Sequence, residues 1–244
     1  MIRMDLRDKT VLVTGAAKRV GREIALFFAS KGAHVFVHYN RSATEAEATC
    51  AEIRALGVES RAFRADLTRV DEVVAMARSL PRVPDVLVNC ASAFYKTPLA
   101  DVTEADWEAL VGSNLKGPFF LSREIGTRMA AANGGRIVSI ADWSAFRPYR
   151  DYAPYCAAKG GLVTLTKALA RELAPKVLVN AVAPGPILPP PDMDEEQRKK
   201  ASSKTVLGRW GSPRDIANAV AFLCESDFTN GTVLFVDGGR SIAV

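Results

Sequence analysis

Cysteine and histidine are scarce in this chain. Cys50, Cys90, Cys156 and Cys224 stand far apart without a CxxC pair, and His34 and His38 are the only histidines. This excludes a metal site of ordinary Cys/His spacing and a disulfide framework, and fits the reduced thiols of a cytoplasmic protein. No apolar run approaches the roughly 20 residues that a bilayer span needs. The polar start MIRMDLRDKT leads straight into the first apolar run, so neither a signal peptide nor a membrane anchor is expected. Blocks of like charge are also missing. The 32 Lys and Arg are interleaved with 27 Asp and Glu, and the net charge of +5 comes without an aromatic-basic stripe. That pattern argues against nucleic acid and for a polyanionic small molecule as partner. Low-complexity tracts and internal repeats are absent, so the chain is expected to fold throughout.

With 244 residues, 48% of them hydrophobic, the chain suits one large α/β domain spanning 1–244. Apolar runs bounded by Gly, Pro or polar residues predict strands at 11–14, 34–38, 59–64, 86–89, 136–140, 178–182 and 233–236. Helical periodicity predicts helices at 21–30, 44–56, 70–79, 104–111, 115–131, 152–173 and 213–224. Regular alternation implies a doubly wound, Rossmann-type domain, its mostly seven-stranded parallel sheet covered by helices on both faces. Ligands of such sheets bind at the carboxyl ends of the strands. The segment 186–207 breaks the alternation with three prolines at 189–191, an acidic stretch at 192–196, and Arg198, Lys199 and Lys200. It reads as a solvated surface helix, as a substrate lid at the binding edge, or as both.

The turn Thr14-Gly15-Ala16-Ala17-Lys18-Arg19-Val20-Gly21 follows the first strand and opens a helix. Gly15 and Gly21 permit a tight turn, and the helix N-terminus at Arg19 and Val20 is then placed to meet a pyrophosphate. Alone, such a turn also reads as an ordinary strand-helix connection. The second strand ends in His38-Tyr39-Asn40-Arg41-Ser42, with no acid before Glu45. An acid there would hold the free ribose hydroxyl of NAD, whereas Arg41 accommodates the extra phosphate of NADP, so NADPH is the expected cofactor. Ser42 and Glu45 also form a capping-box pattern, which places a helix N-terminus beside Arg41. Lys18 is either a second phosphate ligand or a solvated lysine. Asp66, followed by Leu67, either holds the adenine amino group or caps the next helix. Asn89 either holds the loop with Ala91 against the adenosine ribose or forms a turn.

Thr14-Gly15 with Gly21, Asn89-Cys90-Ala91, Asn114, Tyr155-x-x-x-Lys159 and Pro184-Gly185 occur in order along the chain. Together they resemble the short-chain dehydrogenase/reductase family over nearly the whole length. Within it, TGAAKRVG, HYNRS, NCASAFYKTPL and the Asp142/Tyr155 pair look most like pteridine reductases and the related bacterial dihydromonapterin reductases. Three positions depart from the broad family pattern: Arg19 replaces a glycine of the turn, Asp142 stands where a carbonyl reductase carries a serine, and Cys90 replaces a second asparagine.

The resemblance implies hydride transfer from NADPH and a proton from Tyr155, with Lys159 on the same helical face lowering the phenol pKa and holding the nicotinamide ribose. It further implies that Asn114 anchors a water of the proton relay, and that Pro184 and Gly185 contact the cofactor. Asn114 equally satisfies a kinked helix. Asp142 is expected to relay a proton to a pterin ring nitrogen, the other readings being a strand-end cap or a lesion that abolishes turnover. Ser139 and Ser144 differ in spacing from the family serine. Phe94 would stack a pterin against the nicotinamide or pack into the core, and Arg19 would face pyrophosphate and pterin together. Trp143, Tyr149 and Tyr152 would line the pocket or serve in packing. The expected function is therefore an NADPH-dependent dihydropterin reductase, with a 3-oxoacyl thioester or general carbonyl reductase as the alternative and a non-catalytic NADPH sensor behind both. A homotetramer built through helices 115–131 and 152–173 is the expected assembly.

Overall fold

Strands of Val, Leu and Phe, each only four to eight residues long, form the centre of the protein, as a computed structural model covering residues 4–189 and 193–243 shows. In chain order the first half comprises β1 (Thr10–Val13), α1 (Arg19–Ser30), β2 (His34–Tyr39), α2 (Ala43–Ala55), β3 (Ser60–Arg64), α3 (Val70–Ser79), β4 (Val86–Asn89) and α4 (Glu104–Val111). A π-helical turn, Gly112–Lys116, then leads into α5 (Gly117–Ala131). The second half comprises β5 (Gly135–Ile140), a 3-10 turn (Trp143–Ala145), α6 (Ala153–Glu172), β6 (Val177–Pro184), α7 (Glu195–Ser202), α8 (Pro213–Glu225) and β7 (Val233–Val236).

The seven strands pair in the order β3-β2-β1-β4-β5-β6-β7, and every pairing is parallel. Because successive side chains point to opposite faces, each strand feeds two cores. Val11, Val13, Val35, Val37, Val86 and Val88 pack with Ile24 and Phe28 of α1, Ile53 of α2 and Val220 of α8. Leu12, Phe36, Leu87 and Ile137 pack with Val73 of α3 and Leu121, Ile125 and Met129 of α5. Burial of a side chain such as Phe28 or Leu121 contributes about 1.5–3 kcal/mol. Sequence order reverses direction between β1 and β4, which opens a crevice at their carboxyl ends.

Helix boundaries follow local chemistry. Thr103 and Asp106 form a reciprocal capping box on α4, and Ser212 and Asp215 form another on α8. Three expectations need correction. Helices 104–111 and 115–131 are not separate: the π turn joins α4 to α5, with Asn114 at its centre. Ser42 precedes α2 without a side-chain cap, and Glu45 pairs with Lys18. Asp66 does not cap α3, whose N-cap is Arg69; its Oδ1 instead accepts hydrogen bonds from the Thr68 backbone N–H and hydroxyl. In the segment 186–207, α7 carries no buried side chain, so the surface-helix reading holds there. The expected prolines at 190 and 191 and the acid at 192 lie outside the described residues. Among the described residues, no helix is long and apolar enough to cross a membrane.

Candidate active site

The turn after β1 is held by its neighbours before any ligand is considered. Gly15 has φ +65°, and a Cβ there would lie 2.8 Å from the Cα of Ala91. A Cβ on Gly21 would lie 2.4 Å from the Gly15 carbonyl oxygen. Both positions therefore require glycine. The Thr14 hydroxyl oxygen accepts the backbone N–H groups of Cys90 at 2.9 Å and Ala91 at 3.0 Å, which ties the loop after β4 to the loop after β1. That anchor uses only backbone at position 90, so cysteine in place of asparagine does not disturb it. Burial pushes the Cys90 thiol up to about 12 and keeps it neutral.

Helix α1 begins without an acidic residue in its first turn and without a side-chain cap. Its leading N–H groups, at Arg19, Val20 and Gly21, lack intrahelical acceptors, the arrangement that receives a pyrophosphate. Arg19 adopts φ +54°, a left-handed conformation in which glycine is at ease and arginine is strained. Its Nη2 reaches the Leu188 carbonyl at 3.4 Å, so the side chain bridges from the turn to the segment after β6. Lys18 meets Glu45 at 2.7 Å, while Arg41 is exposed beyond β2. Burial opposes ionisation of Asp66, but hydrogen bonds from Thr68 and Asn40 and the charge of Arg41 outweigh it and hold the carboxyl below its usual range. Leu67 is buried beneath this edge. Asn89 is buried too, its Nδ2 donating to Ser122 at 2.9 Å and Ser139 at 3.3 Å, so it braces the loop from inside.

At the far side of the crevice, β5 delivers Asp142 and α6 delivers Tyr155 and Lys159. The Asp142 carboxylate has two partners. Its Oδ1 accepts the Ser144 backbone N–H at 2.7 Å, and its Oδ2 accepts the Tyr155 hydroxyl at 3.0 Å. The strand-end cap and the partner of the tyrosine are thus the same residue. Burial raises the Asp142 pKa above the usual carboxylate range. Burial, and then the Asp142 charge, also push the Tyr155 pKa well up. This differs from the expectation that Lys159 lowers it. The Lys159 Nζ donates to the Ile140 carbonyl at 2.8 Å and lies 5.6 Å from the centre of the Tyr155 ring. It is buried, and desolvation pulls its own pKa down to about 8. Burial and the Asp142 charge thus both favour the protonated Tyr155 phenol.

The π turn places the buried Asn114 against the loop after β4. Its Nδ2 donates to the carbonyls of Ala93 and Leu110, each at 2.9 Å, and its Oδ1 accepts the Ser92 hydroxyl at 2.7 Å. Phe94 is 46% exposed, stacks on Tyr152 at 4.7 Å and meets Tyr155 edge-on at 4.8 Å, so it belongs to the site wall and not to the core. Tyr149 packs against Phe94, Tyr152 and Trp143. The Arg240 guanidinium covers Trp143 at 4.6 Å and donates to the Lys204 carbonyl, joining the C-terminal turn to this wall. Pro184 ends β6, and a Cβ at Gly185 would lie 2.6 Å from the Asp237 backbone. Thr14 and His38 were named in the sequence only as parts of the turn and of the second strand end, without a role. The Thr14 hydroxyl could have been suspected from its place at a strand end before glycine, whereas nothing in the sequence marked the contacts of the His38 ring.

Comparison with known proteins gives the family of the chain. A family model described as enoyl-(acyl carrier protein) reductase matches residues 15–241. The 3-oxoacyl-[acyl-carrier-protein] reductase FabG of Staphylococcus aureus is 37% identical over 241 residues, covering 95% of this chain and 97% of the relative. A (2S)-[(R)-hydroxy(phenyl)methyl]succinyl-CoA dehydrogenase subunit of Thauera aromatica is 36% identical over 248 residues, covering 98% and 99%. Among solved structures, a blue fluorescent protein from a metagenomic library in complex with NADPH superposes with a TM-score of 0.88 at 32% identity, covering 97% of this chain and 99% of the other. The reductase name matches the carbonyl alternative better than the pterin reading. With the turn, the Tyr155/Lys159 pair and the parallel sheet in place, the chain belongs to the short-chain dehydrogenase/reductase family of NAD(P)-dependent oxidoreductases.

Proposed function

We propose that this enzyme uses NADPH to reduce a conjugated C=N bond in a planar heterocycle of the dihydropterin class. The observation that carries the reading is the Tyr155 hydroxyl donating to the buried Asp142 carboxylate at 3.0 Å. A carbonyl substrate develops negative charge on oxygen as it accepts hydride, and a carboxylate beside the acid opposes that charge. A ring nitrogen is reduced most easily when protonated, and a nearby carboxylate favours the resulting cation. Asp142 assists in either protonation state, as donor when neutral and as counter-charge when ionised.

The residues present suit a dinucleotide: an uncapped α1 N-terminus for the pyrophosphate, and the exposed Arg41 for a ribose phosphate where an acid would favour NADH. Bound NADPH supplies the hydride. Tyr155 holds the transferable proton, Asp142 orients that hydroxyl and accepts its hydrogen bond, and Lys159 supplies a positive charge behind the tyrosine ring with donors left for a ribose. Asn114 fixes the backbone through which a water joins the relay. Phe94 and Tyr152 offer a flat aromatic wall to a planar substrate. The segment 186–207 acts as a lid over it, and assembly proceeds through α5 and α6.

The overall similarity to the Staphylococcus aureus reductase favours a second reading, reduction of a 3-oxoacyl thioester by the same Tyr155/Lys159 pair. Substrate choice rests on few site residues and is not carried by whole-chain identity. NADPH oxidation with a dihydropterin and with an acetoacetyl thioester, in wild type and Asp142→Ser, separates the two. Pterin turnover that falls about 100-fold on substitution supports the first reading. Thioester turnover that survives or rises, without pterin turnover, supports the second.

A further inference from the structure

His38 takes no part in the chemistry above, yet its imidazole is fully enclosed at the carboxyl ends of three strands. Its Nδ1 lies 3.1 Å from the Gly15 backbone nitrogen and accepts that N–H. Its Nε2 lies 3.1 Å from the Ala65 carbonyl oxygen. A carbonyl only accepts and an amide only donates, so the ring is neutral, with its proton on Nε2. The His38 carbonyl in addition accepts the Ala16 N–H at 3.0 Å. One residue therefore engages two successive N–H groups of the turn after β1 and, through Ala65, the loop that carries Asp66.

We infer that His38 is a positioning residue for the dinucleotide, a fixed acceptor that pins Gly15 and so aims the α1 N-terminus at the pyrophosphate. The geometry leaves little alternative for the Gly15 N–H. On its other side the glycine is closed in by Ala91, at a distance that already excludes a Cβ. With Gly15 and Ala16 both held by His38, the amides left for a phosphate are those further along the turn and at the start of α1. The Thr14 hydroxyl holds the β4 loop from the opposite side. Thr14, just past β1, and His38 in β2 thus clamp the turn between the loops after β3 and β4. Burial pulls the ring pKa down to about 4, against the hydrogen bond to Ala65 and the nearby charge of Asp66, so the neutral acceptor that the two contacts require is retained at neutral pH.

The inference rests on dinucleotide binding and not on the identity of the substrate. Two isosteric substitutions divide the contacts of the ring. In His38→Asn the amide oxygen stands two bonds from Cβ, as Nδ1 does, and keeps the Gly15 contact. In His38→Gln the amide nitrogen stands three bonds from Cβ, as Nε2 does, and keeps the Ala65 contact alone. NADPH and NADH dissociation constants measured by nicotinamide fluorescence on the free protein are expected to rise about tenfold for His38→Gln and by less than about twofold for His38→Asn. Equal weakening in both variants, or none in either, overturns the role. Because either variant could fold poorly, the nitrogen chemical shifts of the wild-type imidazole provide a separate test. They should report the proton on Nε2, and a proton on Nδ1 overturns the contact. A wild-type protein that binds neither dinucleotide would defeat the cofactor assignment and this role together.

Discussion

The two ends of the crevice are built on different physics. At the α1 end, the geometry comes from backbone: Gly15 and Gly21 admit close approaches, amides face outward, and Thr14 and His38 hold the loops by neutral hydrogen bonds. At the α6 end, three ionisable side chains, Asp142, Tyr155 and Lys159, are buried, burial shifts each of them, and Asp142 acts on both of the others. Shape governs the first end and proton affinity governs the second. Substitutions at the first should therefore change binding, and substitutions at the second should change rate and its dependence on pH.

The sharpest test of that division is Tyr155→Phe. It removes only the hydroxyl that donates to Asp142, and kcat should fall about 1,000-fold, within the range for loss of a general acid. The NADPH dissociation constant should stay within about twofold. A comparable loss of affinity would show that the two ends are not separable.

Next in size is the pH response set by Lys159, whose pKa is lowered by burial to about 8 from an unperturbed 10.5. Its charge is present below about 8 and lost above, so kcat/KM should decline as pH rises through that value. Stability should move the opposite way. Between about 8 and 10.5 the unfolded chain binds the proton that the folded chain has released, and stability from this group rises with pH. Thermal melts and initial rates across pH 7–10 should diverge, and Lys159→Met should remove both trends. Rates and melts that fall together would point to general unfolding.

The smallest effect belongs to Arg19→Gly. Relief of the φ +54° conformation should stabilise the fold by about 1 kcal/mol, read as a higher melting temperature. The same change should weaken NADPH and substrate binding a fewfold, because the guanidinium is the bridge from the turn to Leu188. A variant that gains stability without losing affinity would leave the arginine unexplained.

The strand pattern was legible because buried parallel strands are short apolar runs between turn residues, and all seven expected strands form within two residues of their predicted limits at every end. The Tyr155/Lys159 pair was legible because residues four apart share a helix face. The pairing of Glu45 with Lys18 was not, since a capping-box pattern names local partners only and the lysine comes from the turn that precedes α1. The π turn at Gly112–Lys116 escaped because periodicity breaks at a glycine whether a helix stops or merely widens. His38 escaped because a histidine inside an apolar strand carries no mark of what its two nitrogens meet.

The sequence by itself determined the layered α/β plan, the glycine turn and the residue types of the site, since these follow from local periodicity and spacing. Tertiary structure decided which partners those residues meet and therefore which protons they keep. Asp142 is thirteen residues from Tyr155 along the chain and 3.0 Å from it in space. The direction of the Tyr155 shift depends on burial and on that carboxylate, with Lys159 behind the ring and bonded to Ile140. Desolvation and Coulomb interactions depend on distances through space, and only the packed sheet and helices set those distances.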